Sequence, residues 1–340
     1  MKNIKLIAAL CAITFPLLGA DTPQTAPPAA PPNNGRKVEK PINFVPFKAD
    51  PLRGDWQGDG GVVAQVFTTA GGKYQANLLS AFDTESNVVA VLQGTSSGDG
   101  LEFSGDGWTG AIKNSHFTGS NGDKKFDLQH IIRHSPTEGA KPPEGAVVLF
   151  DGSNLDAWAK KAGQSWLTED GPAKWKLVDG AVEIVPGTDC IITHKKFGDC
   201  HLHVEFRTVC APTKSAVFLE TRYEVNINES YGRLTGTTSG GLDNTSKNTS
   251  PRVRPSFPPL SWQTFDIDFT APRFDAGGQM VAKANITVLL NGVKLCDQKE
   301  LDPPFGAAGR LGEAATGPLM LQDHTTPLQF RNIWLVEKSK

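Results

Sequence analysis

Apolar and polar residues alternate along much of the chain beyond residue 50, and a period of two is typical of β-strands with one buried face. In residues 200–209, CHLHVEFRTV, the apolar side chains Leu202, Val204 and Phe206 share one parity. The other parity is polar: His201, His203, Glu205 and Arg207. Residues 217–228, VFLETRYEVNIN, alternate in the same way, and their polar side carries Glu220, Arg222, Glu224 and Asn226. The pattern predicts strands that pack on a core through one face.

Turn signals separate these strands at short intervals. Asp179-Gly180 lies inside KWKLVDGAVEIV, and Asn291-Gly292 lies inside ITVLLNGVKLCDQ. Both dipeptides suit the type I′ turn of a two-residue hairpin. The absence of an internal repeat of about 20–50 residues disfavours a propeller. The sequence therefore predicts an all-β protein whose C-terminal part is a two-sheet sandwich or jelly roll.

Shifts in composition divide the chain into segments. Lys2 and Lys5 precede an apolar run that ends near Gly19-Ala20, which is the pattern of a signal peptide cleaved after Ala20. An uncleaved membrane anchor is the alternative, but the run is short for a span. The predicted segments are a signal peptide at 1–20, a Pro/Ala-rich disordered linker at 21–50, a small all-β domain at 51–135, a Pro/Gly linker at 136–145 and a jelly roll at 146–340.

Charge and cysteine content restrict the partners and the compartment. The net charge is −2 over 340 residues, and no basic cluster is present, so the sequence argues against nucleic acid as a partner. No stable membrane span is expected after signal cleavage, and we expect a periplasmic or secreted protein. Four cysteines remain, and their spacing matches no zinc site: Cys190, Cys200, Cys210 and Cys296. An oxidising compartment is compatible with one disulfide.

Segment 146–340 carries a series of motifs in order. They are VVLFDGSNLDAW, WKLVDGAVEI, FGDCHLHVEFR, YEVNINESYG, SWQTFDIDFTAPRFDAGG, ITVLLNG and LMLQDHTTPLQFRNIWL. This ordered set resembles the family of 3-keto-disaccharide hydrolase domains. The resemblance implies a concanavalin A-like jelly roll that acts on glycosides, and the N-terminal all-β unit resembles an extension found in some members.

The chain departs from the family pattern at several positions. Similar members carry Asn-Ser-Gly in place of Lys214-Ser215-Ala216, Arg in place of Glu220, Gln in place of Asn226 and Asp in place of Glu229. Other positions keep the pattern, namely Glu224, Trp262, Gln322, His324 and Arg331. The departures concentrate around the strand that carries Glu224.

The chemistry implied by the family assigns roles to these residues. A ketone at C3 of a sugar acidifies the hydrogen on C2, so a carboxylate can remove it and the C1 substituent can leave before water adds back. The resemblance implies Glu224 or Glu205 as the base. It implies Arg222 or Arg207 as the stabiliser of the enolate oxygen, and His324 as the proton donor. Direct displacement by two carboxylates is the other route.

Substrate binding is expected where the polar faces of two strands meet. If the strands of Glu205 and Glu224 are neighbours, their polar faces form one concave patch that suits a saccharide. The residues expected to bind substrate are Arg207, Glu220, Asn226, Gln322 and Trp262. A solvated outer face with surface ion pairs is the alternative interpretation of the alternation.

No cofactor is predicted from the sequence. His201 and His203 lie on one strand face, and Asp266 and Asp268 lie on another, which leaves a bound divalent metal open. The expected ligand is a saccharide or glycoside. Two other functions stay open at this point: a noncatalytic carbohydrate-binding module on the same fold, and a cell-envelope domain that binds other proteins.

Overall fold

Antiparallel strands make up nearly all of the fold. The computed structural model describes residues 42–82, 87–98, 100–163, 165–234, 238–242, 255–304 and 308–338, and these lie within one compact unit, 39–340. Their helical structure consists of short 3₁₀ turns at Asp59–Gly61, Ala70–Gly72 and Ala308–Leu311. The prediction of an all-β protein is confirmed. The predicted signal peptide and residues 21–41 of the predicted linker lie outside the described residues.

The N-terminal half forms a closed barrel of eight antiparallel strands, β2 to β9, in which each strand pairs with the next and β9 returns to β2. A short strand, β1, precedes the barrel. The bounds are β1 Val45–Pro46, β2 Gly54–Gln57, β3 Val63–Thr68, β4 Tyr74–Leu79, β5 Val88–Ser97, β6 Gly100–Gly105, β7 Trp108–Lys113, β8 His116–Asn121 and β9 Lys124–Ile131.

Side chains fill the interior of this barrel. Trp56, Phe103 and Phe117 belong to one buried apolar cluster. Gly119 faces the same interior, where an added Cβ would lie 2.3 Å from the ring of Phe126. The barrel is therefore a packed core and not a pore, as in other small barrels.

The C-terminal half is a sandwich of two antiparallel sheets. The strands of this half are β10 Val147–Phe150, β11 Trp158–Ala162, β12 Ser165–Pro172, β13 Lys176–Val178, β14 Ala181–Glu183, β15 Ile191–Phe197, β16 Cys200–Thr208, β17 Cys210–Ala211, β18 Lys214–Leu219, β19 Tyr223–Asn228, β20 Gln263–Thr270, β21 Arg273–Phe274, β22 Met280–Ala282, β23 Asn285–Leu290, β24 Val293–Glu300, β25 Gly317–Leu321 and β26 Leu328–Glu337. Outside the two sheets, β17 pairs with β1 and β21 pairs with β22. The eight-stranded sheet runs β13-β14-β26-β16-β20-β23-β24, with β10 also paired to β26. The six-stranded sheet runs β12-β11-β15-β25-β18-β19.

The apolar parity of each strand is buried between the two sheets. Leu202 and Phe206 of β16 share one core cluster with Val217 of β18 and Val225 of β19. Full burial of such a side chain contributes roughly 1.5–3 kcal/mol. The predicted faces of both strands are confirmed. The two predicted hairpins are confirmed as well, because Asp179-Gly180 and Asn291-Gly292 have positive φ between β13 and β14 and between β23 and β24.

The strands that carry Glu205 and Glu224 are not neighbours. Glu205 lies on β16 in the eight-stranded sheet, and Glu224 lies on β19 in the six-stranded sheet. Because the apolar sides of both strands meet in the core, their polar sides point in opposite directions. The predicted patch shared by both carboxylates is therefore wrong. Alternation shows which side of a strand is polar, but it does not show which sheet the strand joins.

Buried polar contacts hold the barrel against the sandwich. The hydroxyl of Tyr231, in the loop after β19, donates to Asp55 Oδ1 of β2 at 2.7 Å. Asp55 also accepts a hydrogen bond from Arg133 Nε at 2.6 Å. Asn77 Nδ2 of β4 donates to the carbonyl of Gly232 at 2.6 Å. The barrel is thus fixed to the loop that follows β19.

The end of the predicted linker is ordered. Within residues 42–50, β1 pairs with β17, where Val45 lies opposite Ala211. The amide of Phe47 donates to the carbonyl of Val209 at 2.9 Å. The ordered chain therefore begins earlier than the sequence predicts, because this segment forms a separate two-stranded sheet with β17.

Two further properties of the described chain bear on its environment. All four described cysteines are free thiols, so the disulfide that an oxidising compartment would allow is not formed among them. Within the described ranges, no helix combines the length and the apolar character that a membrane crossing requires.

Candidate functional site

Two rows of side chains run across the strands on the outer face of the six-stranded sheet. Cross-strand pairing defines the first row as Ala159, Ile192, Met320, Phe218 and Glu224. This row is apolar from β11 to β18 and ends in the carboxylate of Glu224 on β19. Ile192, Met320 and Phe218 are buried. Glu224 therefore stands at the end of an apolar floor.

The second row lies two residues further along the strands and is polar at intervals. It consists of Lys161, Cys190, Gln322, Ala216 and Asn226. The amide of Gln322 donates to the carbonyl of Ala216 at 3.0 Å, and Ala216 lies opposite Asn226. Because neighbouring strands are about 4.8 Å apart, the Gln322 and Asn226 side chains flank Ala216. Ala216 and Asn226 are buried, and Asn226 Nδ2 donates to the carbonyl of Gly241 at 3.2 Å.

Several buried polar atoms near this face have no hydrogen-bond partner among the described residues. They include Gln322 Oε1, His324 Nδ1 and Asn228 Nδ2. His324 follows Gln322 by two residues, and Asn228 follows Asn226 by the same interval. An unsatisfied buried polar group costs about 1–3 kcal/mol. Such atoms therefore indicate where a ligand or a water molecule would bind.

The loop that carries His324 is held by its neighbour Asp323. Asp323 Oδ2 accepts hydrogen bonds from the amides of Gly187 at 2.8 Å and Asp189 at 3.2 Å. Its Oδ1 accepts one from the amide of Thr325 at 2.8 Å. Burial raises the pKa of Asp323, and these hydrogen bonds offset only part of that effect. Asp323 ties two loops together and thereby positions His324.

The β11–β12 hairpin brings an aromatic ring to this face. Trp166 of β12 contacts Phe218 of β18 edge-on, with the ring centroids 5.6 Å apart. Because β18 is three steps from β11 in the sheet order, the hairpin must fold back over the sheet to make this contact. Phe218 lies opposite Glu224. An indole, a carboxylate and two amides therefore converge on one region.

Two lysines share this face. The ammonium group of Lys161 donates to the carbonyl of Gly163 and lies 3.1 Å from Asp189 Oδ1. Lys214 lies opposite Asn228, is half-buried, and forms no salt bridge with any residue in the described ranges. The charge of Lys161 is thus paired with Asp189. Lys214 can instead stabilise a developing oxyanion with its positive charge.

The outer face of the eight-stranded sheet is covered by the chain itself. Residues 135–140 cross this face, and the amide of Gly139 donates to Glu205 Oε1 at 2.6 Å. Arg331 Nε donates to Glu205 Oε2 at 2.6 Å, and Asn332 Nδ2 donates to Glu205 Oε1 at 2.8 Å. The side chain of Glu205 is fully buried. Its carboxylate is thus held by hydrogen-bond donors of its own chain.

The pKa of Glu205 reflects its burial and its hydrogen bonds. Burial by itself raises the pKa of Glu205, but hydrogen bonds from His203, Asn332 and Arg331 outweigh burial and lower the pKa to about 2. A carboxylate with so low a pKa is a weak base near neutral pH. These properties do not suit a catalytic base, and the role of Glu205 stays a prediction. Its contacts are those of a residue that fastens residues 135–140 to the sheet.

Arg207 and Trp262 lie on the same face as Glu205. The guanidinium groups of Arg207 and Arg331 lie 4.6 Å and 4.1 Å from the centre of the Trp262 ring. Arg207 Nε donates to Gln329 Oε1 at 2.6 Å. The thickness of the sandwich, about 10 Å between stacked sheets, separates these residues from Glu224. Arg207 and Trp262 therefore lie apart from Glu224, and their role in substrate binding stays a prediction.

Glu220 and Arg222 lie in the turn between β18 and β19. Arg222 Nη1 donates to the Glu220 carbonyl at 2.9 Å, and its Nε donates to the Gly312 carbonyl at 2.7 Å. Glu220 is buried, and neither of its carboxylate oxygens has a hydrogen-bond partner among the described residues. Burial raises the pKa of Glu220 to about 8. The structure places neither residue in the two rows, and the roles predicted for them stay predictions.

His201 and His203, which the sequence suggests as ligands of a divalent metal, are paired with carboxylates on β20. His201 Nδ1 lies 3.1 Å from Asp268 Oδ1, and His203 Nδ1 lies 2.6 Å from Asp266 Oδ1. In the described ranges, no group of three or more His, Cys, Asp or Glu side chains is arranged to hold a metal ion.

Comparison with known families identifies the sandwich. A model of the 3-keto-alpha-glucoside-1,2-lyase-like domain matches residues 145–336, which is more than half of the chain. The chain belongs to this family. The resemblance predicted from the ordered motifs is confirmed, and the protein has a glycoside-related function.

Solved structures of provisionally named glycosyl hydrolases from Parabacteroides distasonis are similar to this 3-keto-alpha-glucoside-1,2-lyase-like protein. One is 29% identical, has a TM-score of 0.46, and the match covers 58% of this chain and 85% of the other. A second is 20% identical and has a TM-score of 0.39. Its match covers 62% of this chain and 99% of the other. No curated protein matches the chain.

Sequence reasoning missed two residues of this lyase-like domain. Lys214 shares the parity of Ala216 and Phe218, so the alternation alone could have placed it on the outer face. Trp166 gave no such signal, because its contact with Phe218 depends on a hairpin that folds back over three strand positions. Of the predicted site residues, the structure brings Glu224, Asn226 and Gln322 to one face, and His324 lies in the loop that follows Gln322.

Proposed function

We propose that this protein cleaves 3-keto-glycosides on the outer face of the six-stranded sheet. The observation that carries the proposal is the grouping of Glu224, Asn226 and Gln322 on one face, with His324 two residues beyond Gln322, in a chain of the 3-keto-alpha-glucoside-1,2-lyase-like family. The unpartnered buried atoms of Gln322 and His324 support a polar ligand there.

The proposed reaction is an elimination followed by hydration. Glu224 removes the proton on C2, and the electron pair forms an enolate whose oxygen on C3 accepts charge stabilisation from Lys214 and the Gln322 amide. The C1–O bond then breaks, and the leaving oxygen takes a proton from His324. The first products are an alcohol and an unsaturated 3-keto sugar. Addition of water at C1 with protonation at C2 then gives the free 3-keto sugar.

The apolar part of the face supports a sugar ring. The half-buried ring of Trp166 lies against Phe218, whose strand neighbour is Glu224, and one face of a pyranose is apolar enough to pack on such a ring. Asn226 and Gln322 provide amide groups that can exchange hydrogen bonds with hydroxyls. These features suit a substrate whose oxidised ring lies over Phe218.

The isotope content of the product tests this mechanism. The protein is incubated with 3-keto-trehalose in D₂O, and the released 3-keto sugar is examined by NMR. Elimination and hydration place deuterium at C2, whereas direct displacement leaves the original hydrogen there. Binding without turnover would instead support a noncatalytic carbohydrate-binding module, and absence of binding to any 3-keto-glycoside would support a protein-binding domain.

We also infer that the protein is exported to the periplasm or the medium. The inference rests on the basic start and the apolar run of residues 1–20. Mass spectrometry of the protein purified from its host tests it, because cleavage after Ala20 gives an N-terminus at Asp21. An intact N-terminus at Met1 in a cytoplasmic fraction would contradict export.

A further inference from the structure

A second cleft lies between the barrel and the sandwich. Its volume is about 860 Å³, which falls within the range of about 300–1,000 Å³ typical of small-molecule sites. Three pieces of chain form its walls: segment 45–53, residues 67–72 at the end of β3, and residues 229–233 after β19. The barrel and the sandwich must both be present for this cleft to exist.

Hydrogen bonds on each side hold the walls in place. The Tyr231–Asp55 bond fixes the loop after β19 to the barrel. On the opposite wall, Asp50 accepts a hydrogen bond from the hydroxyl of Tyr74 at 2.9 Å, and β1 is paired to β17. The cleft is therefore formed before any ligand arrives, which reduces the entropic cost of binding.

The lining combines aromatic surface with an excess of positive charge. Half-buried rings of Phe47 and Phe67 line the cleft, and so do three cations, Lys48, Arg53 and Arg233. Two carboxylates, Asp50 and Glu229, face them. Asp50 is occupied by Tyr74 and by the amide of Leu52, so it neutralises little of the charge that a ligand would meet.

Arg53 has the geometry of an anion receptor. Its guanidinium lies 5.3 Å from the centre of the Phe47 ring, and Nη2 donates to the Lys48 carbonyl at 2.6 Å. A guanidinium has five donors in a planar fork that matches a carboxylate. Lys48 is exposed beside it.

Glu229, on the sandwich side of the cleft, lies 3.5 Å from Arg233. Burial raises the pKa of Glu229, which favours the neutral form that exchanges hydrogen bonds with hydroxyls.

We propose that this cleft binds an acidic saccharide, with its carboxylate on Arg53 and Lys48 and a sugar ring against Phe47 or Phe67. The saccharide part rests on the proposed function, whereas the acidic part follows from the charges in the cleft. Glu229 of the cleft is five residues beyond Glu224, which is about 16 Å in an extended chain. Ligand binding in the cleft is therefore separable from turnover at Glu224.

Calorimetric titration of the full-length protein with trigalacturonate, an acidic probe, tests the proposal. Thr68→Trp fills the cleft from an exposed position at the end of β3, and Thr95→Trp is the matched control on an exposed position of β5 outside it. We expect Thr68→Trp and Arg53→Ala to weaken binding at least tenfold, and Thr95→Trp to leave it unchanged. Circular dichroism verifies that each variant is folded.

Three results would overturn the proposal: no binding of trigalacturonate by the wild type, equal affinity for the neutral trisaccharide cellotriose, or equal affinity in the Thr68→Trp variant. The Glu224→Gln variant distinguishes loss of ligand binding in the cleft from loss of glycoside cleavage. It should bind trigalacturonate as the wild type does, so loss of cleft binding and loss of glycoside cleavage are measured independently.

Discussion

The two outer faces of the sandwich carry similar side chains in opposite states of hydrogen bonding. On the eight-stranded sheet, Glu205 receives hydrogen bonds from Gly139, Arg331 and Asn332. On the six-stranded sheet, Gln322 and His324 have buried atoms without a partner among the described residues. A face whose polar groups are satisfied by its own chain contributes to stability, whereas a face with unsatisfied groups is prepared for a ligand.

The buried glutamates Glu205 and Glu220 show how strongly the surroundings decide the behaviour of a carboxyl group. Hydrogen bonds hold the pKa of Glu205 at about 2 despite burial. Glu220 has no hydrogen bond to its carboxyl oxygens among the described residues, and burial raises its pKa to about 8. Glu205 is therefore a buried anion, and Glu220 is largely protonated at neutral pH.

The largest expected effect concerns Glu224. Replacing Glu224 by Gln removes the proposed base, so turnover of 3-keto-trehalose should fall by about a thousandfold. The midpoint of urea denaturation should stay close to that of the wild type, because the substituted side chain is half-buried. Release of free sugar measures the effect. Turnover within threefold of the wild type would remove Glu224 from the mechanism.

The corresponding change on the other face, Glu205→Gln, should act on stability. Breaking this buried charged network should lower the free energy of unfolding by about 3 kcal/mol, while turnover per folded molecule is kept. Because the folded-state pKa of about 2 lies below the ordinary value of 4.5, the stabilisation is present above pH 4.5 and is lost as the pH falls towards 2. Urea denaturation at several pH values measures both effects. If the Glu205→Gln variant is inactive but as stable as the wild type, the catalytic residue would be Glu205 on the eight-stranded sheet.

Glu220→Gln should increase stability in alkaline conditions. The folded-state pKa of about 8 lies above the ordinary value of 4.5, so the wild type loses stability as the pH rises from 4.5 to 8, where only the unfolded state releases the proton readily. Gln cannot ionise, so the variant should be more stable by about 4 kcal/mol at pH 8 and close to the wild type at pH 4. A difference that does not vary with pH would show that ionisation of Glu220 is not the cause.

The smallest expected effect concerns Trp166. Trp166→Ala removes the aromatic ring beside Phe218, so KM should rise by about tenfold, equivalent to about 1.4 kcal/mol, with kcat within threefold. Trp166→Phe should restore most of the affinity, because it keeps an aromatic surface. Trp262→Ala is the control on the opposite face and should leave KM unchanged. An equal rise in KM for both variants would show that the outer faces are not distinct in binding.

Local properties of the fold were predictable from the sequence, whereas the partners of the strands were not. The parity of β16 and β19 and the turn at Asn291-Gly292 follow from neighbouring residues. The partners of β16 are β20 and β26, and these lie far along the chain. No alternation pattern contains that information. The two glutamates were therefore assigned to the correct faces of their strands but to the wrong common site.

The contribution of the linker was unpredictable for a similar reason. Its proline and glycine content indicated an irregular connection at 136–145, and its backbone does lack regular strands. Whether such a segment crosses a sheet or extends into solvent depends on long-range hydrogen bonds such as Gly139 to Glu205. Gln322 and His324 were better predicted, because the family motif already joined them to Glu224.

The segment that covers Glu205 limits how this protein can be dissected. A recombinant sandwich that starts at Ala146, the boundary predicted from the sequence, would lack Gly139 and would expose an anion that the intact chain encloses. Such a fragment would also lose Asp55, the partner of Tyr231. Truncation studies should therefore retain residues 135–145, and low yield from a shorter fragment would reflect a missing cover and not an inactive enzyme.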